Sequence, residues 1–135
     1  MQLVLDTNIV LDLLVFGDPR VRPLSQGLRA GRLHWIATAA MREELARVLA
    51  YPKIAPRVEF HRGSALDVLD EFDRHARMVE VPLKACVTCG DPDDQKFIDL
   101  AVAHRCTLLS KDREVLRMRK RLAGLQVTAA SQLAA

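Results

Sequence analysis

VLDTNIVLDLL, residues 4–14, joins one apolar run to another through Asp6, Thr7 and Asn8. The first run predicts a buried strand and the second predicts a helix. Asp, Thr and Asn are all good N-cap residues, so a turn from strand to helix is a sufficient local explanation for Asp6. The alternative is a functional carboxylate at the end of a strand, and the rest of the chain has to decide between the two.

The composition is that of a folded globular protein. Half of the 135 residues are apolar and 27% are charged, which excludes extended disorder. This length suits a single domain covering residues 1–135. The N-terminus has no basic n-region, and no apolar run approaches the ~20 residues that span a bilayer. We therefore expect a cytoplasmic protein that has no membrane contact.

The cysteines and histidines do not favour a zinc site. Three cysteines form an odd count, which indicates reduced thiols rather than a disulfide framework. Cys86 and Cys89 form a bare CxxC, which would need two further ligands to hold zinc, and none of the four histidines forms an HxxxH pair. We interpret the CxxC as incidental.

Apolar runs bounded by turn residues alternate with helical patterns along the whole chain. This alternation predicts an α/β protein with a mostly parallel sheet covered on both faces, because parallel neighbours need crossover connections. The predicted strands are QLVL (2–5), LHWIA (33–37), RMVEV (77–81), CTLLS (106–110) and LQVTA (125–129). The predicted helices cover 38–50, about 57–76 and 94–104, with shorter ones near 8–16, 23–30 and 112–118.

Acidic residues recur where strands end and helices begin. Asp6 ends the first predicted strand, Asp94 opens a helix, and Asp112 follows the fourth strand. N-capping explains each of them individually. Ligand sites of open parallel sheets lie at the carboxyl ends of the strands, however, so all three side chains are expected at one edge.

A fourth acid comes from the helix predicted at 38–50. Met41, Leu45 and Val48 form its buried stripe, and Glu44 lies in the same stripe whereas Glu43 points away. A buried carboxylate needs a cation, hydrogen bonds or a raised pKa. A side chain reaching solvent at the edge of the stripe is the alternative for Glu44.

Four carboxylates at one end of a sheet would repel one another unless a positive charge lay among them. Ligands that are all oxygen favour Mg²⁺ or Mn²⁺. Such a pocket suits phosphodiester hydrolysis, because one ion activates water and a second neutralises the leaving oxygen. The residues leave open whether one or two ions bind.

A basic stretch follows Asp112. The chain has a net charge of +3, which is compatible with a polyanionic partner, although a solvated face is the default interpretation of such a run. Scarce aromatic residues argue against an extensive base-stacking platform. The candidate contacts to a phosphate backbone are Arg113, Arg117, Arg119, Lys120 and Arg121.

These motifs resemble the PIN-domain family, in particular the small bacterial PIN proteins that are toxin components of toxin–antitoxin pairs. VLDTNIVLD is similar to the opening motif of the family, and REELARVLAYPK is similar to its second block. DPDDQKFIDLAVAHRCTLLSKDREVL resembles the third and fourth blocks. The residues that match the acids of the family are Asp6, Glu44, Asp94 and Asp112, and Ser110 stands where the family has Thr or Ser.

The resemblance implies a three-layer α/β/α sandwich with a five-stranded parallel sheet. It also implies a Mg²⁺- or Mn²⁺-dependent ribonuclease, a homodimer, and inhibition by a partner antitoxin. The four acids would hold the metal, with Asn8 orienting the pocket. The C-terminal GLQVTAASQLAA lacks the proline that such relatives often carry after the last strand. This departure affects only the expectation of a final helix.

Other classes of protein are weaker matches. A response-regulator receiver would need an aspartate after the third strand, but that strand ends in VEVP. A haloacid-dehalogenase-type phosphatase would need a second aspartate at position 8, which is Asn8. A more serious alternative is a PIN-like module that binds RNA or protein with little catalysis. Asp12 is either a rim residue or a secondary member of the site.

Overall fold

The five predicted strands form one parallel sheet. A computed structural model describes residues 1–133. The spatial order of the strands is β3-β2-β1-β4-β5, and every neighbouring pair is parallel, as predicted. The strands are β1 (Gln2–Leu5), β2 (His34–Ala37), β3 (Ala76–Met78), β4 (Thr107–Leu109) and β5 (Thr128–Ala130).

Helices connect the strands and cover both faces of the sheet. They are α1 (Thr7–Leu11), α2 (Arg22–Arg29), α3 (Ala39–Leu49), α4 (Ala55–Arg62), α5 (Ala65–His75), α6 (Gln95–His104), α7 (Arg113–Leu116) and α8 (Arg119–Ala123). A π-helical turn, Asp12–Phe16, continues α1. Two 3₁₀ turns, Pro19–Val21 and Pro92–Asp94, precede α2 and α6.

The core lies on both sides of the central strand. Leu3, Val4 and Leu5 of β1 are all buried, although successive side chains of a strand point to opposite faces. Trp35 of β2 meets Phe72 of α5 edge to face at 4.9 Å. The three-layer α/β/α architecture is therefore confirmed.

The single helix predicted over about 57–76 is wrong, because two helices occupy this region. Gly63 ends α4 with a φ of +91°, a conformation that L side chains rarely adopt. Ser64 then starts α5, and its hydroxyl accepts a hydrogen bond from the amide of Asp67 over 3.2 Å. The sequence signal was the Gly-Ser pair, which marks a break inside a helical pattern.

The boundaries near the ends of the other elements also differ. Strand β3 ends at Met78 rather than at residue 81, and the chain is then irregular as far as the 3₁₀ turn before α6. The predicted strand 125–129 begins later, at Thr128, because Gln126 has a left-handed φ of +65°. Helix α8 was not predicted, and its Leu122 is buried. After β5, residues 131–133 are not helical, while Ala134 and Ala135 lie outside the described residues.

The strand order places a crevice between β1 and β4. After β1 the chain forms β2 and β3 on one side of β1, and it later forms β4 and β5 on the other side. Strand order reverses at this point, where α/β sheets bind their ligands. The amide of Asp6 donates to the carbonyl of Leu109 over 3.0 Å, so the carboxyl ends of both strands meet here. No helix among the described residues is long and apolar enough to cross a membrane.

Candidate active site

Asp6 is a buried residue at the end of β1, and its side chain does not cap helix α1. Its Oδ2 instead accepts a hydrogen bond of 2.6 Å from the buried hydroxyl of Ser110, which follows β4. Burial raises the pKa of Asp6, the Ser110 hydrogen bond opposes this rise, and the charges of Glu44 and Asp112 add to it. The capping explanation therefore fails for this residue.

Asp94 is also buried without a capping role. It precedes α6, yet its side chain makes no cap hydrogen bond, and its buried Oδ2 has no hydrogen-bond partner among the described residues. Burial, followed by the charges of Asp6, Asp112 and Asp91, raises the pKa of Asp94 to about 7. An unpartnered oxygen in this setting is costly to bury, so it needs a proton or a cation.

Asp112 and Asp91 complete a cluster of three carboxylates around Asp94. One oxygen atom of each residue lies within 4.8 Å of the others. The cap interpretation holds for Asp112, whose Oδ1 accepts from the amide of Glu114 over 2.8 Å. Asp91 caps the 3₁₀ turn by accepting from the amide of Asp93 over 2.9 Å.

Glu44 of α3 is half-buried beside Asp6 and is engaged through both oxygens. Its Oε1 lies 2.7 Å from the ammonium of Lys96, and the hydroxyl of Thr7 donates to its Oε2. Glu43 is exposed, as its position on the helix predicts. Glu44 therefore points inwards, as its place on the helix predicts, and its carboxylate has two polar partners.

Sequence reasoning missed Asp91, Thr7 and Lys96. The sequence did indicate a helix start at Asp91, because Asp followed by Pro is typical of one. A helix start of this kind does not reveal which other carboxylates lie nearby in the folded protein. Thr7 was considered only as a possible helix cap, because its neighbours Asp6 and Asn8 carried the match to the opening motif. The Lys96–Glu44 pair joins helices far apart in sequence, so only the tertiary structure reveals it.

The loop before α6 is held beside the cluster by two polar side chains of that helix. Gln95 accepts from the amide of Cys89 over 2.7 Å and donates to the carbonyl of Val87 over 3.0 Å. Asp99 accepts from the amide of Ala85 over 2.9 Å and from the side chain of Gln95 over 2.8 Å. These bonds fix the segment that leads into Asp91.

Asn8 and Asp12, which the sequence also offered as members of the site, lie on α1 and on the π-helical turn that continues it. Asn8 is exposed on α1, immediately after Thr7. Asp12 is buried, and its Oδ2 pairs with the ammonium of Lys111 at 2.6 Å. The thiols are free, with Cys86 exposed and Cys89 buried.

The basic residues lie on α7, on α8 and on the turn between them, and not in the acidic cluster. All five side chains are exposed, and Arg117 lies 3.2 Å from Glu114. Met118, which lies between them in the sequence, and Leu122, which follows them, are both buried, so the apolar side of this segment packs inwards. The exposed basic residues are Arg113, Arg117, Arg119, Lys120 and Arg121.

The fold and the site together define an α/β protein with a carboxylate cluster at the switch point of a parallel sheet. The family model of the PIN domain matches residues 2–114. The chain therefore belongs to the PIN domain family. Proteins of this family are generally nucleases that use divalent metal ions.

A solved structure supports the same fold. The chain is similar to a chain in the crystal structure of VapBC2 from Rickettsia felis bound to a DNA fragment from their promoter. The TM-score is 0.62 at 16% sequence identity, and the match covers 96% of this chain and 98% of that chain. No curated protein sequence matches this chain.

Proposed function

We propose that the protein is a Mg²⁺- or Mn²⁺-dependent endoribonuclease that hydrolyses phosphodiester bonds in single-stranded or structured RNA. The observation that carries this proposal is the buried, unpartnered Oδ2 of Asp94 inside a cluster with Asp91 and Asp112. The proposed acids of the site are Asp6, Glu44, Asp94 and Asp112, which hold or orient the metal ion and water, with Asp91 as an additional ligand.

The donor set fits a hard divalent cation. The cluster consists of carboxylate oxygens, which suit Mg²⁺ and Mn²⁺ better than the nitrogen and sulfur ligands typical of zinc. When bound, such an ion supplies Lewis acidity towards a phosphodiester and lowers the pKa of an attacking water. Asp94, Asp112 and Asp91 are the residues that would hold it.

The remaining side chains position the acids. Ser110 holds Asp6 through a buried hydrogen bond, so the carboxylate keeps one orientation. Asp94, with a pKa of about 7, is partly protonated near neutral pH and releases its proton when a cation is bound. Gln95 and Asp99 hold the loop that carries Asp91.

The substrate and the partners follow from charge and from similarity. The exposed basic residues after Asp112 are proposed to contact the RNA backbone through its phosphates. The similarity to VapBC2 supports a role as the toxin component of a toxin–antitoxin pair, with an antitoxin protein as partner. We further propose a cytoplasmic homodimer.

Cleavage of labelled RNA by the purified protein tests the proposal. Single-stranded RNA, structured RNA and matched DNA are incubated with Mg²⁺, Mn²⁺ or EDTA. Asp94→Asn is the test variant, and Asp93→Asn is the matched control because Asp93 is an exposed neighbour on the same turn. We expect RNA cleavage that EDTA and Asp94→Asn abolish and that Asp93→Asn retains.

Three outcomes would contradict the proposal. Equal cleavage of DNA would contradict the assignment of RNA as substrate. Undiminished cleavage by Asp94→Asn would contradict the role of Asp94 in the site. Metal binding or RNA binding without cleavage of any substrate would favour a PIN-like RNA- or protein-binding module.

A further inference from the structure

Glu44 differs from the other acids of the site because the chain itself engages both of its carboxylate oxygens. The ammonium of Lys96 lies 2.7 Å from Oε1, and Thr7 donates its hydroxyl to Oε2. The side chain of Glu44 is 18% exposed and that of Lys96 is 26% exposed, so solvent screens this pair only partly.

Lys96 is itself fixed in place by neighbours other than Glu44. Its ammonium donates to the backbone carbonyl of Asp93 over 2.6 Å and lies 5.1 Å from the ring centroid of Phe97. A divalent ion that took Oε1 of Glu44 as a ligand would displace this ammonium from the carboxylate. Breaking a half-buried pair leaves one charge without a partner, which is strongly unfavourable.

Asp94 presents the opposite situation. Its Oδ2 has no partner among the described residues, and an oxygen of Asp91 and one of Asp112 lie close to it. Among the described residues no basic side chain pairs with Asp94, whereas the ammonium of Lys96 pairs with Glu44.

We propose that Lys96 is a positioning residue that supplies the positive charge at the Glu44 end of the site, so that the site takes one divalent ion rather than two. That ion is held at the Asp91, Asp94 and Asp112 end, while Glu44 orients Lys96 and Thr7. This inference rests on the proposed metal site, and it assigns one ion per chain where the sequence left the number open.

Removal of Lys96 should create a second cation site. Without the ammonium, Glu44 is a half-buried carboxylate near Asp6 with only Thr7 as a donor. A second divalent ion can then neutralise the two acids. Removal of the carboxylate charge of Glu44 as well should eliminate this second site, because only Asp6 then remains there and Ser110 already donates a hydrogen bond to it.

Calorimetric titration with Mn²⁺, combined with electron paramagnetic resonance of the free ion, tests the proposal. We expect wild-type protein to bind one Mn²⁺ per chain and Lys96→Met to bind two. The double variant Lys96→Met/Glu44→Gln should return to one. Lys111→Met is the matched control: it also removes a lysine–carboxylate pair, Lys111–Asp12 at 2.6 Å, but Asp12 lies outside the carboxylate cluster, so the number of ions should stay at one.

The outcomes separate this inference from the proposed function. Two ions in wild type, or one ion in Lys96→Met, would overturn the role of Lys96 while leaving the metal site intact. No binding in wild type would overturn the metal site and the inference together. If circular dichroism showed that Lys96→Met does not fold, Lys96→Gln replaces it, with the same expected number of ions.

Discussion

Ser110 donates its buried hydroxyl to Oδ2 of Asp6 over 2.6 Å, and this bond joins the carboxyl ends of the two central strands. The same hydroxyl oxygen accepts from the amide of Asp112 over 3.0 Å. One side chain therefore positions two of the proposed catalytic acids, Asp6 directly and Asp112 through its backbone.

Ser110→Ala should lower both stability and metal affinity. It leaves the buried carboxylate of Asp6 without its donor, which costs roughly 1–3 kcal/mol and raises the pKa of Asp6 further. Urea denaturation in EDTA and Mn²⁺ titration at several pH values measure the two effects. Ser110→Thr keeps the hydroxyl and is the control. Unchanged stability together with unchanged metal affinity in Ser110→Ala would contradict this role.

Mn²⁺ and Mg²⁺ should raise the melting temperature of the protein. A ligand that binds only the folded state stabilises it by about 2.7 kcal/mol at 100 times its dissociation constant, which amounts to several degrees. Asp94→Asn should melt higher than wild type in EDTA, because it relieves repulsion, and should lose most of the response to metal. Asp93→Asn should respond like wild type. A flat melting temperature across millimolar Mn²⁺ would count against the site.

The positions of the proposed acids at one edge of the sheet were predictable because each acid follows a local rule. Asp6 comes directly after an apolar run, Asp112 comes two residues after the predicted strand CTLLS, and Glu44 keeps the helical spacing of Met41 and Leu45. In a parallel sheet the carboxyl ends of the strands lie at the same edge, whatever the conformation of the connecting loops. The places of the four acids in the predicted elements were therefore enough to predict that they lie together at one edge of the sheet.

The remaining features depend on tertiary contacts that no local pattern encodes. The cap at Asp91 is a local feature, but its proximity to Asp94 depends on how Gln95 and Asp99 hold the preceding loop. The partner of Lys96 depends on the distance between α3 and α6. The break at Gly63 was visible in the sequence, yet the helical periodicity on both sides outweighed it.

The basic stretch should contribute to RNA affinity but not to metal affinity. The triple variant Arg119→Ala/Lys120→Ala/Arg121→Ala removes exposed charges, and each lost phosphate contact should reduce the salt slope by about 0.7 on a single strand. Fluorescence anisotropy in an Asp94→Asn background measures binding without cleavage.

A control for this variant comes from the opposite end of the sheet. Arg29 and Arg32 are exposed and precede β2, so they lie towards the amino ends of the strands. Arg29→Ala/Arg32→Ala should leave the salt slope close to that of the parent. If both variants weakened binding equally, the contact would be diffuse electrostatic attraction rather than a defined RNA track.

The metal-free protein should become less stable as the pH rises towards 8. The pKa of Asp94 is about 7 in the folded protein and 3.8 as its ordinary value, so the folded state binds the proton more tightly. The stabilisation is complete below pH about 4 and is lost as the pH rises through about 7. Between these limits wild type should lose roughly 3–4 kcal/mol relative to Asp94→Asn, which cannot ionise at this position.

Urea denaturation in EDTA at a series of pH values measures this loss. The informative quantity is the difference between wild type and Asp94→Asn at each pH, because all other titratable groups are common to the two proteins. Asp93→Asn should follow the wild-type curve, because its exposed carboxylate lies outside the cluster. Parallel curves for wild type and Asp94→Asn would mean that Asp94 is ionised throughout, and that its buried oxygen is compensated by a group other than a proton.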